Sequence, residues 1–151
     1  MFDPLSYFAH VEKALATCAS YAEISWPEFL ITFNRFKHWD EIFWRCEVKF
    51  PGGHRFTALE RHCRDEKGEH LRKIVYRLTE ENGDLVFQID PHHAPIPYGA
   101  CPHLHIGPSQ NFRVEEGDQR LRGYSLREFD FLKVWDLVQN YIKDGSVPWA
   151  Q

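Results

Sequence analysis

Leu71-Arg72-Lys73-Ile74-Val75-Tyr76-Arg77-Leu78-Thr79 and Leu85-Val86-Phe87-Gln88-Ile89-Asp90 flank Glu81-Asn82-Gly83-Asp84. An Asn-Gly pair between two apolar runs is the strongest short-range hairpin signal, because a type I′ turn needs positive φ at both central residues. With Asn82-Gly83 as a two-residue loop, Leu78 faces Phe87 and Tyr76 faces Ile89. Both pairs then share one face of the sheet, so the register is self-consistent and the chain is committed to antiparallel pairing.

Upstream, Trp44, Cys46, Val48 and Phe50 alternate with Arg45, Glu47 and Lys49, which is the pattern of a strand buried on one side. Pro51-Gly52-Gly53 turns the chain and residues 56–63 return beside it. Residues 28–36 are extended, with a strand at Leu30-Ile31-Thr32-Phe33-Asn34. Downstream, Leu104-His105-Ile106 is a short strand closed by Gly107-Pro108. Residues 109–124 are polar, contain Gly117 and Gly123, and form a long loop.

A helix stands at each end. Asp3 caps the first and Pro4 opens it, and Leu5, Phe8, Val11, Leu15 and Cys18 make one apolar stripe. The last helix starts at Ser125 with Glu128 completing a capping box, buries Leu126, Phe129, Leu132, Trp135, Val138, Tyr141 and Ile142, and ends at Gly145. The expected fold class is therefore α+β, an antiparallel sheet of about five or six strands packed against an N-terminal and a C-terminal helix. The 151 residues suit one domain, with no visible boundary or repeat.

Composition narrows the function classes. Aromatics are 15% of the chain, so large rings dominate the core. No apolar run reaches the roughly 18–20 residues that span a bilayer, and Met1-Phe2-Asp3-Pro4 has no secretory n-region, so the expectation is a cytoplasmic protein without membrane contact. Cys18, Cys46, Cys63 and Cys101 form no Cys-x-x-Cys pair, which argues against a zinc knuckle or a disulfide framework. The formal net charge of −4 counts against non-specific nucleic-acid binding. Between His54 and Arg77, however, Arg55, Arg61, Arg64, Lys67, Arg72, Lys73 and Arg77 outnumber Glu60, Asp65, Glu66 and Glu69. That excess either lines a groove for a phosphate chain or is the solvated face of a sheet.

Four of the nine histidines, His92, His93, His103 and His105, fall in a proline-rich run that leaves the hairpin at Asp90. Imidazole titrates near neutral pH and is the commonest metal ligand. In an extended stretch His103 and His105 point to one side, roughly 7 Å apart at Cα. A stiff loop with Pro91, Pro95, Pro97 and Pro102 can fold back to bring His92 or His93 near them, and Asp90 or Tyr98 can orient an imidazole.

One use is metal-free acid–base cleavage of RNA, in which one imidazole deprotonates the 2′-hydroxyl and another protonates the leaving 5′-oxygen. An arginine then stabilises the phosphorane, with Arg55, Arg61, Arg72, Arg77 and Arg113 as the substrate-binding candidates. A second use is a divalent metal such as zinc held by His92, His103 and His105, or by two histidines with Asp90, in a hydrolase or phosphoesterase. A third reading is non-enzymatic: the imidazoles tie loop carbonyls, and Trp26, Trp39 and Trp149 anchor a partner in an antitoxin, immunity or phage accessory protein, with a core role for Trp39 as the equal alternative. Isolated His10, His38, His54, His62 and His70 read as surface or core residues, and Cys101 as an inert small one.

Ile89-Asp90-Pro91-His92-His93 followed by Pro102-His103-Leu104-His105 resembles the TumE-type toxins of bacterial toxin–antitoxin pairs, in which a sheet hairpin ends in an aspartate and a histidine-containing turn leads to a closing His-x-His. The resemblance covers residues 45–106. It carries over to Asp90, His92, His93, His103 and His105. It implies a growth-inhibiting protein that acts on RNA and is held inactive by a cognate antitoxin. Pro91 stands where the family has the Asn of an Asp-Asn step, and the terminal helices are additions to the family's smaller form.

Overall fold

The computed structural model describes residues 2–36, 38–90, 102–108 and 112–149. It is α+β, with one helix near each end and an antiparallel sheet of eight strands. The elements run α1 (Pro4–Ala16), β1 (Glu23–Ser25), β2 (Leu30–Phe33), β3 (Trp39–Lys49), β4 (Arg55–Arg64), β5 (His70–Thr79), β6 (Leu85–Asp90), β7 (His103–Ile106), β8 (Arg113–Glu115) and α2 (Phe131–Asp144). From β3 to β8 the strands pair in chain order, and β1 and β2 share the outer edge of β3, one at each half of its length. The two strands beyond the expected count are β1 and β8. Each has three residues, too few for a period to show in sequence, and each exists because a longer neighbour offers an unpaired edge.

The central hairpin has the expected register, with Leu78 opposite Phe87 and Tyr76 opposite Ile89, but not the expected turn. Glu80 N–H donates to Asp84 O at 2.8 Å and Gly83 N–H to Glu80 O at 2.9 Å, so the loop has three residues and only Gly83, at φ +90°, is left-handed. The extra residue is absorbed by a shift in pairing between Leu78 and Thr79. This is a type I turn followed by a glycine bulge, which keeps the pairs beyond it on the same face.

Strand alternation separates two faces. Trp44, Cys46 and Val48 of β3, Phe56 and Ala58 of β4, Ile74, Tyr76 and Leu78 of β5, Phe87 and Ile89 of β6, Leu104 of β7 and Val114 of β8 are buried in one core with both helices. From α1 come Phe8, Val11 and Leu15, and from α2 Phe131, Val134, Trp135 and Val138. Rings dominate this layer: Phe8 stacks on Phe29 at 3.9 Å, and Phe131 meets Trp44 edge-on at 5.3 Å and stacks on Trp135 at 5.6 Å.

The first helix starts as expected, with Asp3 Oδ1 accepting from Leu5 N–H at 3.2 Å and Pro4 as its first residue, but the burial of Leu5 and the start of the last helix differ from expectation. Leu5 is 74% exposed, because Phe2 occupies the sheet-facing position ahead of it, against Tyr7 and Trp39. The last helix begins at Phe131, not Ser125. Ser125 makes no side-chain capping bond, residues 126–128 form a separate 3₁₀ turn, Phe129 is extended, and Asp130 caps the helix by accepting from Lys133 N–H at 2.9 Å. Gly145 closes it in the left-handed region at φ +74°. Among the described residues no helix is long and apolar enough to cross a membrane.

One carboxylate lies wholly inside the core. Glu60 Oε1 accepts from the Tyr7 hydroxyl at 2.6 Å and from the Tyr76 hydroxyl, and Oε2 accepts from Trp44 Nε1–H at 2.9 Å and faces His62 Nε2 at 3.0 Å. The Tyr7 oxygen in turn accepts from Phe131 N–H at 3.2 Å, the first turn of α2. One carboxylate thus links α1, β3, β4 and β5 directly and α2 through Tyr7. Burial pushes the Glu60 carboxyl up, but the hydrogen bond and charge of His62 and the tyrosine hydroxyls outweigh it and hold it below the usual carboxylate range. Beyond it, His62 Nδ1 lies 2.7 Å from His70 Nε2, and Phe2 stacks over both imidazoles at 4.8 and 4.5 Å. Burial, His62, Arg72 and Arg64 together lower His70 to about 4.

Glu60→Gln removes the charge and sets an amide against four fixed groups. It is expected to lower unfolding free energy by roughly 2–3 kcal/mol, read by urea denaturation. Acid should also destabilise the fold. His70 is neutral when folded and protonates in the unfolded chain near 6.5, so stability falls as pH drops from about 6.5 to 4. Glu60 contributes stability above its unfolded value, and this is lost as pH falls through its lower folded one. Thermal melts of His70→Gln should lose the slope between pH 6.5 and 4 and keep the steeper fall below it. At the end of β7, a Cβ on Gly107 falls on the Leu85 carbonyl oxygen, which is backbone and cannot step aside. Gly107→Ala should therefore cost about 2 kcal/mol or more by the same denaturation assay.

Candidate functional site

The face of the sheet away from the helices carries the other histidine centre. In β7, His103 and His105 project to this side because they are two residues apart in an extended strand, while Leu104 between them enters the core. Across the β6 pairing His103 stands opposite Asp90, and His105 opposite Gln88. On the other flank Glu115 stands opposite His103, and Arg113 opposite His105. Asp90, the last residue of β6, is thereby held in register by the central hairpin.

The contacts are close. His103 Nε2 meets Asp90 Oδ1 directly, and His105 Nε2 lies 3.7 Å from the same oxygen. The two imidazole centroids are 4.8 Å apart and near-perpendicular. Gln88 Nε2–H donates to Asp90 Oδ2 at 2.5 Å, and Arg77 Nη1–H donates to Gln88 Oε1 at 3.3 Å, so a relay of polar side chains runs from β5 to the carboxylate at the end of β6. Asp90 and His103 are buried, whereas the His105 side chain keeps 14% exposure. Burial, with the Arg113 and His105 charges nearby, lowers the His103 imidazole despite the Asp90 carboxylate. A neutral His103 beside a fixed carboxylate orients the centre, and His105 is the member that reaches solvent.

Of the sequence-derived candidates, Asp90, His103 and His105 come together here. His92 and His93 lie outside the described residues, as do Tyr98 and Cys101. Arg113 flanks His105, with its Nε 2.6 Å from Glu115, and Arg77 reaches the centre through Gln88. The other arginines are elsewhere: Arg55 pairs with Glu47 at 3.3 Å, Arg61 with Glu41 at 2.6 Å, and Arg72 sits on the helix-covered side, donating to Arg127 O at 2.7 Å. Cys18 and Cys46 are buried free thiols, and burial pushes the Cys46 thiol up to about 12. Among the tryptophans named as partner anchors, Trp26 is 52% exposed, but Trp39 and Trp149 are buried. Trp39 lies beneath the Arg64 guanidinium, and Trp149 meets Phe87 edge-on at 5.3 Å.

Two groups escaped sequence reading. Gln88 shares a strand face with Asp90 two residues on, a parity signal that was present but carries no chemistry until Asp90 is known to be fixed. Glu60 and His62 share the parity of Phe56 and Ala58, which marks them as core-facing within a segment read as basic surface. That second cluster is a closed one. Protein donors reach both Glu60 oxygens and Phe2 covers the imidazoles, so it reads as an internal tie between layers. Comparison of the chain with protein-family models, with curated proteins and with solved structures gives no match.

Proposed function

We propose that the protein is a toxin-like endoribonuclease whose reacting centre is the Asp90–His103–His105 cluster. The observation that carries the reading is the convergence of two imidazoles on one buried carboxylate, with one ring still in contact with solvent. RNA suits such a centre because its cleavage needs only proton transfer. His105 takes the proton of the 2′-hydroxyl, the 2′-oxygen bonds to phosphorus, and the bond to the 5′-oxygen breaks as that oxygen receives a proton from a second acid. His92 and His93 are the candidates for that acid. The products are a 2′,3′-cyclic phosphate and a 5′-hydroxyl. Arg113, opposite His105 in the pairing, is the cation assigned here to the pentacovalent phosphate. Asp90 and His103 act as positioning residues, fixing the His105 environment through the Gln88 relay. The resemblance to TumE-type toxins supports the same substrate and adds a cognate antitoxin as partner.

Induced expression in a bacterium should arrest growth and fragment total RNA, with cyclic phosphate ends at the breaks. His105→Ala should lower cleavage by about 10²-fold or more while the melting temperature holds. Asp90→Asn should lower it with a smaller change in substrate KM than in kcat. Full activity in His105→Ala, or intact RNA under the wild-type protein, overturns the reading.

A metal-dependent phosphoesterase is favoured by a separate observation. One donor atom each from Asp90, His103 and His105 lies within 4.8 Å of the others. Two imidazoles and a carboxylate are a set that binds zinc and leaves a water position open. Protein purified without a histidine tag would then carry one equivalent of metal, lost in His103→Ala, and a chelator would abolish activity. Metal-free protein at full activity excludes this alternative.

A further inference from the structure

Beside the candidate centre, the same sheet face holds a cavity of about 800 Å³ that the reaction above does not use. Its apolar surface comes from Trp26 in the β1–β2 connection, Phe43 of β3, Leu59 of β4 and Val75 of β5. The register makes it continuous with the centre. Arg45, Leu59 and Val75 stand abreast on β3, β4 and β5, and the pairing that sets Tyr76 against Ile89 carries Val75 alongside Asp90. Two residues along each strand, and so on the same face, Thr57, Arg77, Gln88, His105 and Arg113 make the parallel row.

The charges have a pattern. Arg45 is exposed and makes no hydrogen bond or ion pair with the described residues, and Arg77 binds Gln88 but no carboxylate among them. By contrast Arg55, Arg61 and Arg113 on this face each have a carboxylate partner. These two guanidinium groups, neither of them paired with a carboxylate among the described residues, flank the Leu59–Val75 floor. Glu28 and Glu47 line the cavity as well. Carboxylates are poor neighbours for a phosphate but accept from the exocyclic amines of nucleobases. A volume of this size has room for a base together with its sugar, and an exposed indole with a half-buried phenyl makes a stacking platform.

We propose that this cavity is a nucleobase subsite for single-stranded RNA. A base stacks on Trp26 and Phe43, and Arg45 and Arg77 hold the backbone phosphates that lead the strand toward His105. Only an unpaired strand offers free base faces and edges to such a surface, so duplex RNA is excluded. The inference rests on the ribonuclease reading for the direction of the strand, but the subsite is defined by binding alone.

The test measures binding of labelled oligoribonucleotides by His105→Ala protein, which leaves the RNA intact. Three probes of one length are compared: a mixed-sequence single strand, its abasic counterpart and a duplex. The single strand should bind at least about tenfold tighter than the abasic strand. Adding Trp26→Ala should remove most of that difference and leave abasic binding unchanged. Adding Arg45→Ala should weaken both single strands and reduce the salt dependence by about 0.7 in log–log slope. Equal binding of abasic and normal strands, indifference to Trp26→Ala and Arg45→Ala, or preference for duplex overturns the subsite. Cleavage by the wild type together with such indifference overturns the subsite and spares the ribonuclease reading. Localised binding without wild-type cleavage does the reverse. A protein partner that occupies the cavity while RNA does not bind there also overturns it.

Discussion

An ionised carboxylate sealed between a sheet and two helices is the constraint on which this fold turns. A carboxylate removed from water is tolerable only if donors replace its hydration. Glu60 is supplied by Tyr7 of α1, Trp44 of β3, Tyr76 of β5 and His62 of its own strand. Apolar packing of rings is tolerant of small slides. A carboxylate with donors assigned to both oxygens is not, so it sets where α1 lies along the sheet and, through the Tyr7 oxygen and Phe131 N–H, where α2 begins. This accounts for the helix starting at Phe131 in spite of the stronger local start signal at Ser125.

Fixing one face has consequences for the other. A strand cannot shift by one residue without turning its buried set outward. Because β4 and β5 are locked by Glu60 and Tyr76, and β6 follows through the Leu78–Phe87 and Tyr76–Ile89 pairs, Asp90 has one place to stand. β7 pairs to β6 with Leu104 opposite Ile89, which leaves His103 and His105 no option but the outer face. The polar centre is thus assembled by register, and its rigidity is that of the core beneath it. The burial of Asp90 and His103 in turn separates orienting groups from the one imidazole that meets solvent.

Much of this was legible in the chain. The hairpin register, the one-sided alternation of β3, the span of β6 and the cap at Gly145 each follow from local chemistry that survives in the tertiary structure. The turn at Asn82-Gly83 differs from the expected type but keeps the expected register, because a bulge between Leu78 and Thr79 compensates for the third loop residue. Leu5 and Trp39 show the usual limit of pattern reading. Whether an apolar residue is buried depends on what arrives from elsewhere, here Phe2 ahead of Leu5 and Arg64 over Trp39. Short edge strands such as β1 and β8 carry no period of their own and form only on a neighbour's free edge.

By itself the sequence determined the fold class, the register of the central hairpin and the two-residue spacing that puts His103 and His105 on one side of a strand. These are properties of neighbouring residues and of backbone periodicity. Only the tertiary structure decided that Asp90 meets both imidazoles, that Glu60 and His62 face inward, and which arginines accompany the centre. Each of those depends on strand order and on the layer of helices, which bring together residues far apart in the chain.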